Sequence, residues 1–267
     1  VVGRMNRAGA ETWLMHILRS IDRQHFRMDF LVHTAEPSDY DAEIASLGSA
    51  VIPCLSEQDP LRYARNFIRK LRSYGPYDVV HTHVQHFGAL PLFLARCAGV
   101  PVRVAHSHSD TRGEERKASA VRRGYLHLTR ALIRTYATHG LAVSERASLS
   151  LFGPNWRQDR RWQILHCGID LEAFGCAVDG ASLRAELGIP HDALVVGHVG
   201  RFSYEKNHTF LVDVAAEVLK REPKAFFLLV GDGPLRNAIQ EKVSHLGLAP
   251  RFLFTGVRAD VSRLMKG

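Results

Sequence analysis

Short apolar runs alternate with helix-patterned segments along the whole chain, and this alternation limits its fold more than any other feature. Residues 30–33, 50–53, 77–81, 100–105, 140–143 and 163–166 read as strands. Between them, residues 11–22 carry Trp13, Leu14, Ile17, Leu18 and Ile21 at helical spacing. Residues 61–74 do the same with Leu61, Ala64, Phe67, Ile68 and Leu71, and Gly75-Pro76 stops that helix. A third helix is expected at 88–97, closed by Gly99, and a weakly patterned one at 126–136. Ser144 stands where it can cap a further helix. Apolar strands separated by helices pair in parallel, with helices on both faces of the sheet. The expected architecture is therefore α/β and doubly wound.

The pattern breaks and then restarts. Residues 171–192 read as loop with a short helix at 182–187. Strands at 194–199, 225–230 and 251–254 follow, with helices at 208–221 and 235–246. Two Rossmann-like domains facing a cleft are expected, residues 1–172 and 173–267. A length of 267 residues suits two domains. Three strands fall short of the roughly five or six of a doubly wound sheet, so the second domain is expected to be incomplete. Val1-Val2-Gly3-Arg4 reads as the tail of a strand rather than a leader, which suggests trimming at both ends.

Composition narrows the class. Hydrophobic residues make up 46% and charged residues 23%, which fits a soluble chain with packed cores. No apolar run approaches the roughly 20 residues of a membrane span. Cys54, Cys97, Cys167 and Cys176 are scattered without a CxxC, so reduced thiols in a cytoplasmic protein are expected. The net charge is +8, and Arg112, Arg116, Lys117, Arg122, Arg123, Arg130 and Arg134 crowd one stretch. That stretch is either a solvated helix face or a peripheral contact with an anionic membrane. Nucleic acid is disfavoured, because no aromatic–basic interleaving accompanies the charge.

Several segments carry chemistry. Gly200-Arg201-Phe202-Ser203-Tyr204-Glu205-Lys206-Asn207 follows a strand and opens a helix. Ligands of open α/β sheets sit at the carboxyl ends of strands. There Gly200 lets backbone approach a ligand, while Arg201 and Lys206 offer a planar fork and a point charge to a diphosphate. Gly231-Asp232-Gly233-Pro234 ends the next strand and is first a turn, with a rim near a nucleotide as its functional reading. Ala8-Gly9-Ala10-Glu11 opens a helix, either as an anion site or as a plain strand–helix turn. His81, His83 and His86, then His106 and His108, fall at two strand ends on one sheet edge. They read as polar groups lining a sugar site, with some of them structural. No Cys, Asp or Glu within the clusters completes a zinc ligand set, so no metal is expected.

Taken in order, these segments resemble the GT-B retaining glycosyltransferases of family 4, particularly the bacterial exopolysaccharide and capsule enzymes. The resemblance rests on Ala8-Gly9-Ala10-Glu11, Asp78-Val79-Val80-His81-Thr82-His83, Val104-Ala105-His106-Ser107-His108 and Val143-Ser144-Glu145. It continues through Gly168-Ile169-Asp170 with Phe174, Val199-Gly200-Arg201-Phe202 with Glu205-Lys206-Asn207, and Gly231-Asp232-Gly233-Pro234-Leu235.

The resemblance implies transfer of a sugar from a UDP- or GDP-linked donor to a polysaccharide or lipid-linked acceptor. Configuration would be retained by front-face attack, with no cofactor. It implies donor contacts at Gly9, Gly200, Arg201, Lys206, Gly231, Asp232 and Val257, and catalytic roles for His106, Arg201 and Lys206. His83 and His108 would stand on the acceptor and sugar side. The family often has Gly-Gly where this chain has Ala8-Gly9, and its paired glutamates would lie beyond Gly267. The fragment alone is thus expected to be inactive. A sugar-nucleotide epimerase of the same architecture, or a non-catalytic nucleotide-sugar binder, remain the alternatives.

Overall fold

A computed structural model describes residues 1–55 and 59–267. The chain divides into two compact units, Val1–Ile169 and Asp170–Gly267.

Among the described residues, unit 1 contains six parallel strands: β1 (Phe30–Val32), β2 (Val51–Pro53), β3 (Val79–Thr82), β4 (Val102–Ser107), β5 (His139–Ala142) and β6 (Trp162–Ile164). β1 pairs with β2, and β3 to β6 form a second run in chain order. The first three residues join the two. Val2 N donates to Leu31 O at 3.0 Å, His33 N to Gly3 O at 2.9 Å, and His83 N to Val1 O at 2.9 Å. The resulting order runs outward in opposite directions on either side of residues 1–3. That is the topological switch point at which doubly wound sheets bind ligands. The helix Gly9–Ser20 leaves from it on one side, and His83 ends β3 on the other.

Helix boundaries follow their caps. Asp59 accepts from Leu61 N and Arg62 N, with Pro60 in the first turn of the helix Pro60–Tyr74. Ser144 accepts from Ala147 N and starts the helix Glu145–Phe152. Ser119 caps the helix Ala120–Tyr136, which begins six residues before the apolar periodicity does. Its first turns are exposed and rely on the cap rather than on burial. Two short helices, Asp41–Ser46 and Arg112–Arg116, lack an apolar signature and escape the sequence pattern. β4 reaches Ser107, two residues past the expected end, because β5 continues the ladder through His106↔Leu141 and Ser107↔Ala142.

Unit 2 is a three-stranded parallel sheet, β7 (Leu194–Val199), β8 (Ala225–Val230) and β9 (Phe252–Gly256), with β8 in the centre. All six residues of β8 are buried, as a central parallel strand covered on both faces requires. The helix His208–Arg221 buries His208, Val212 and Ala215 against it, and the helix Arg236–His245 buries Ile239 and Val243. Burying each large apolar side chain contributes about 1.5–3 kcal/mol. Phe202, Phe227 and Leu229 at the centre are therefore the main stabilisers of this unit.

Candidate functional site

In unit 1 the register of β3 and β4 builds a patch of imidazoles. His81 and His83 are two residues apart and share a face, as do His106 and His108. Pairing of His81 with Val104 and of Thr82 with Ala105 puts His83 level with His106. The four rings form a two-by-two grid at the carboxyl edge. His81 Nε2 lies 3.2 Å from His106 Nδ1, and His83 Nδ1 lies 2.8 Å from His108 Nε2. Trp13, from the helix Gly9–Ser20, packs its ring against the grid, 5.2 Å from His106 and 5.8 Å from His108. Burial holds His81 and His83 well below the usual imidazole range, His106 at about 3 and His108 at about 4. All four are thus neutral at pH 7.

His86, the fifth histidine of the sequence pattern, is not part of the grid. Its Nε2 pairs with Glu115 Oε1 at 3.0 Å and its Nδ1 with Thr129 Oγ1 at 3.2 Å. Glu115 also accepts from Thr111 at 2.6 Å and from Arg130. Burial raises the Glu115 carboxyl, and its bonds to Thr111, Arg130 and His86 outweigh that, so it stays ionised. His86 is a satisfied structural histidine. Beside it a cavity of about 490 Å³ is lined by Gln85, Phe87, Thr111, Arg122, Tyr125 and Leu126, among others. No linear motif announces this cavity, because three separate segments build it.

Gly9 opens the helix Gly9–Ser20, and a Cβ placed there would meet nothing within 4 Å. Packing of the protein itself does not call for glycine at this position.

In unit 2 the residues singled out in the sequence gather at the carboxyl ends of all three strands. Gly200 and Arg201 follow β7, Gly231 and Asp232 follow β8, and Val257 follows β9, more than half exposed. The first two loops are stitched together through backbone. Gly200 N donates to Val230 O at 2.9 Å, Phe202 N to Asp232 O at 3.0 Å, and Leu235 N to Phe202 O at 3.0 Å. Gly231 and Gly233 have φ of +135° and +158°, and a Cβ on them would lie 2.1 Å from Gly200 O and 2.6 Å from Phe202 O. The Gly-Asp-Gly turn thus has a packing reason of its own. Asp232 is engaged by Gly233 N at 2.7 Å and Arg236 at 3.1 Å.

Arg201 and Lys206 are distinguished by their place, on the loop that leaves the carboxyl end of β7. Arg27, Arg112, Arg161 and Arg258 each pair with an aspartate two residues away. Arg201 and Lys206 are exposed and form no salt bridge among the described residues. The turn carrying Lys206 ends at Asn207, held at φ +49°, a conformation asparagine tolerates. The carboxyl of Glu205 on the same loop is lowered by its hydrogen bond with Ser203 and then by both charges, and the two cations on a backbone-braced loop set up a positive potential that can attract an anion.

The basic stretch in unit 1 divides differently from the expectation of one charged face. Arg130 pairs with Glu115, and Arg134 donates to Phe152 O at 2.7 Å. Arg112 pairs with Asp110 at 2.7 Å, and Arg116, Lys117, Arg122 and Arg123 remain exposed with no carboxylate partner among the described residues. By contrast the helix Pro60–Tyr74 shows Arg62, Arg65, Arg69 and Arg72 to solvent at helical spacing, with no carboxylate partner among the described residues. No described helix is long and apolar enough to cross a membrane.

Two successive units, each built on a parallel sheet, are consistent with the GT-B fold of the solved glycosyltransferases that superpose on the chain. Comparison with known proteins is specific about the family. Residues 8–163 match the family described as glycosyl transferase 4-like domain, and residues 180–267 match glycosyl transferases group 1. The chain belongs to the family 4-type glycosyltransferases of GT-B fold. It is 37% identical over 273 residues to a Bacillus subtilis (strain 168) protein named as a glycosyltransferase, EpsF, covering 100% of this chain and 70% of that one. It is 27% identical over 201 residues to the UDP-Gal:alpha-D-GlcNAc-diphosphoundecaprenol alpha-1,3-galactosyltransferase of Escherichia coli, covering 74% of this chain and 51% of that one. Among solved structures, Anabaena Alr3699/HepE in complex with UDP-glucose superposes with a TM-score of 0.78 at 20% identity, covering 99% of this chain and 70% of that one. The chain thus spans about half to 70% of the length of these proteins.

Proposed function

We propose that the protein of which this chain is part transfers a sugar, with retention of configuration, from a UDP- or GDP-linked donor to a polysaccharide or lipid-linked acceptor. The observation that carries this reading is the unpaired Arg201 and Lys206 on the loop after β7. In that reading they neutralise the donor diphosphate and the charge that grows on it as the glycosidic bond breaks. Fixed cations aimed at developing charge lower a barrier without reorganising. No metal takes part in this clamp. Gly200, Gly231, Asp232 and Val257, on the same sheet edge, line the donor.

In unit 1, Gly9 admits the donor through its bare backbone, and His106 hydrogen-bonds the transferred sugar as a neutral imidazole. His83 and His108 serve the sugar and acceptor side, and the cavity beside Gln85 and Tyr125 is the candidate acceptor pocket. Retention rests on the family resemblance. The similarity to a UDP-Gal:alpha-D-GlcNAc-diphosphoundecaprenol alpha-1,3-galactosyltransferase supports a UDP-linked donor and a lipid-linked acceptor. An epimerase reading finds no support among these relatives.

The domain division intended for this function is residues 1–172 on the acceptor side and 173–267 on the donor side. We infer that residues 1–267 alone bind without turning over. Cytoplasmic placement is part of the proposal, with peripheral contact to an anionic membrane. The arginine stripe of the helix Pro60–Tyr74 supports that contact alongside the exposed cations of residues 112–134.

The test uses a chain extended to the length of the relatives. Arg201→Ala with Lys206→Ala should abolish transfer from a radiolabelled nucleotide sugar while the protein stays folded. Normal turnover by the double variant would remove the clamp and with it this reading.

A further inference from the structure

The histidine grid has a property that neither the family match nor the transfer reading uses. His81, His83 and His106 each bring one ring nitrogen within 4.8 Å of the other two. A late first-row metal ion held by imidazole at about 2.0–2.1 Å sets its ligand nitrogens roughly 3.4 Å apart. Small ring rotations close that gap, because the three side chains leave two adjacent strands on one face.

Two further observations point the same way. The Nε2 of His106 is buried and has no hydrogen-bond partner among the described residues, on a side chain only 1% exposed. Trp13 closes one side of the grid with an apolar ring. The sequence disfavours metal because neither histidine cluster completes a ligand set by itself. Register brings the two clusters into one set.

We propose that His81, His83 and His106 bind a divalent late transition metal ion of the Zn²⁺ or Co²⁺ class, with His108 or a solvent oxygen at the fourth position. Three neutral nitrogens and no carboxylate suit such an ion and not Mg²⁺ or Ca²⁺, which require oxygen ligands.

The site is tested on the chain as it stands, by titrating Co²⁺ into metal-free protein. One equivalent should bind with the intense visible absorption of tetrahedral cobalt, and the melting temperature should rise with Co²⁺ concentration. His81→Gln should lose both effects, while His16→Gln keeps them. Mg²⁺ should do neither. Zinc-edge X-ray absorption on the wild-type chain keeps the test independent of folding in the variants. A first shell of three imidazoles at about 2.0–2.1 Å supports the site, and one made of sulfur, or of oxygen alone, overturns it. Failure of Co²⁺ to bind, or equal binding by His81→Gln, also overturns it.

One consequence rests on the sugar contact proposed for His106. A ring nitrogen held by metal cannot serve a sugar hydroxyl, so excess Zn²⁺ should inhibit transfer by the extended protein, and a chelator should reverse this. Metal bound without inhibition keeps the site and removes the sugar role of His106. Absence of bound metal removes the site and leaves the sugar role standing.

Discussion

Gly231→Ala tests whether the cationic loop is held in place by backbone-to-backbone packing. At φ +135° a residue with a side chain carries strain of about 1–3 kcal/mol. The new Cβ would lie 2.1 Å from Gly200 O, so that carbonyl must retreat by roughly an ångström. Such a shift disrupts the Gly200 N–Val230 O and Phe202 N–Asp232 O bonds, at about 1 kcal/mol each. The sum is about 4 kcal/mol, close to a thousandfold in an opening equilibrium. Gly247→Ala is the matched control. Gly247 has φ +70° and its Cβ would meet nothing within 4 Å, so the cost is strain alone, about 1 kcal/mol. Hydrogen exchange read on peptides from β7 to β9 should show the large acceleration in Gly231→Ala and only a few-fold change in Gly247→Ala. All three tryptophans lie in unit 1, so their fluorescence transition provides an internal reference. Equal acceleration in the two variants would refute the packing account of the Gly-Asp-Gly turn.

Two further outcomes are expected. Gly9→Ala should fold as stably as wild type, gaining up to about 1 kcal/mol of helix propensity, yet lose nucleotide-sugar turnover in the extended protein; full activity would show that no ligand approaches residue 9. His208 is 1% exposed, stacks on Phe202 at 4.1 Å, and has neither ring nitrogen hydrogen-bonded among the described residues. Burial, then the charges of His198 and Lys206, lower it to about 4. Its pKa is thus lower folded than unfolded, so the unfolded chain binds the extra proton. The share of stability that His208 contributes, beside that of the buried imidazoles of unit 1, should fall as pH drops from about 6.5 through 4, by at most about 1.4 kcal/mol per pH unit. His208→Leu should flatten that slope in urea titrations run at several pH values, and an unchanged slope would exclude His208 as its source.

The position of the cationic loop was legible because its signals are local. A strand, a glycine, an arginine and a lysine five residues on lie within one stretch, and chain order alone places that stretch at a carboxyl strand end. The same holds for the caps Asp59, Ser119 and Ser144, which act within three residues of themselves. Strand β8 was legible from its unbroken apolar run.

What escaped the sequence depends on contacts between distant segments. The Gly-Asp-Gly turn could be read as a turn, but its reason, the carbonyls of Gly200 and Phe202, lies thirty residues upstream. His86 looked like one member of a histidine cluster until Glu115 and Thr129 closed around it. The arginines of 112–134 formed a single charge run on paper, yet Arg130 and Arg134 turn inward to Glu115 and Phe152 O. The sequence by itself determined two units of alternating strand and helix, because periodicity and capping are short-range physics. Only the tertiary structure decided which imidazoles share a face and which cations stay unpaired, because strand register and the depth of burial are set by residues far apart in the chain.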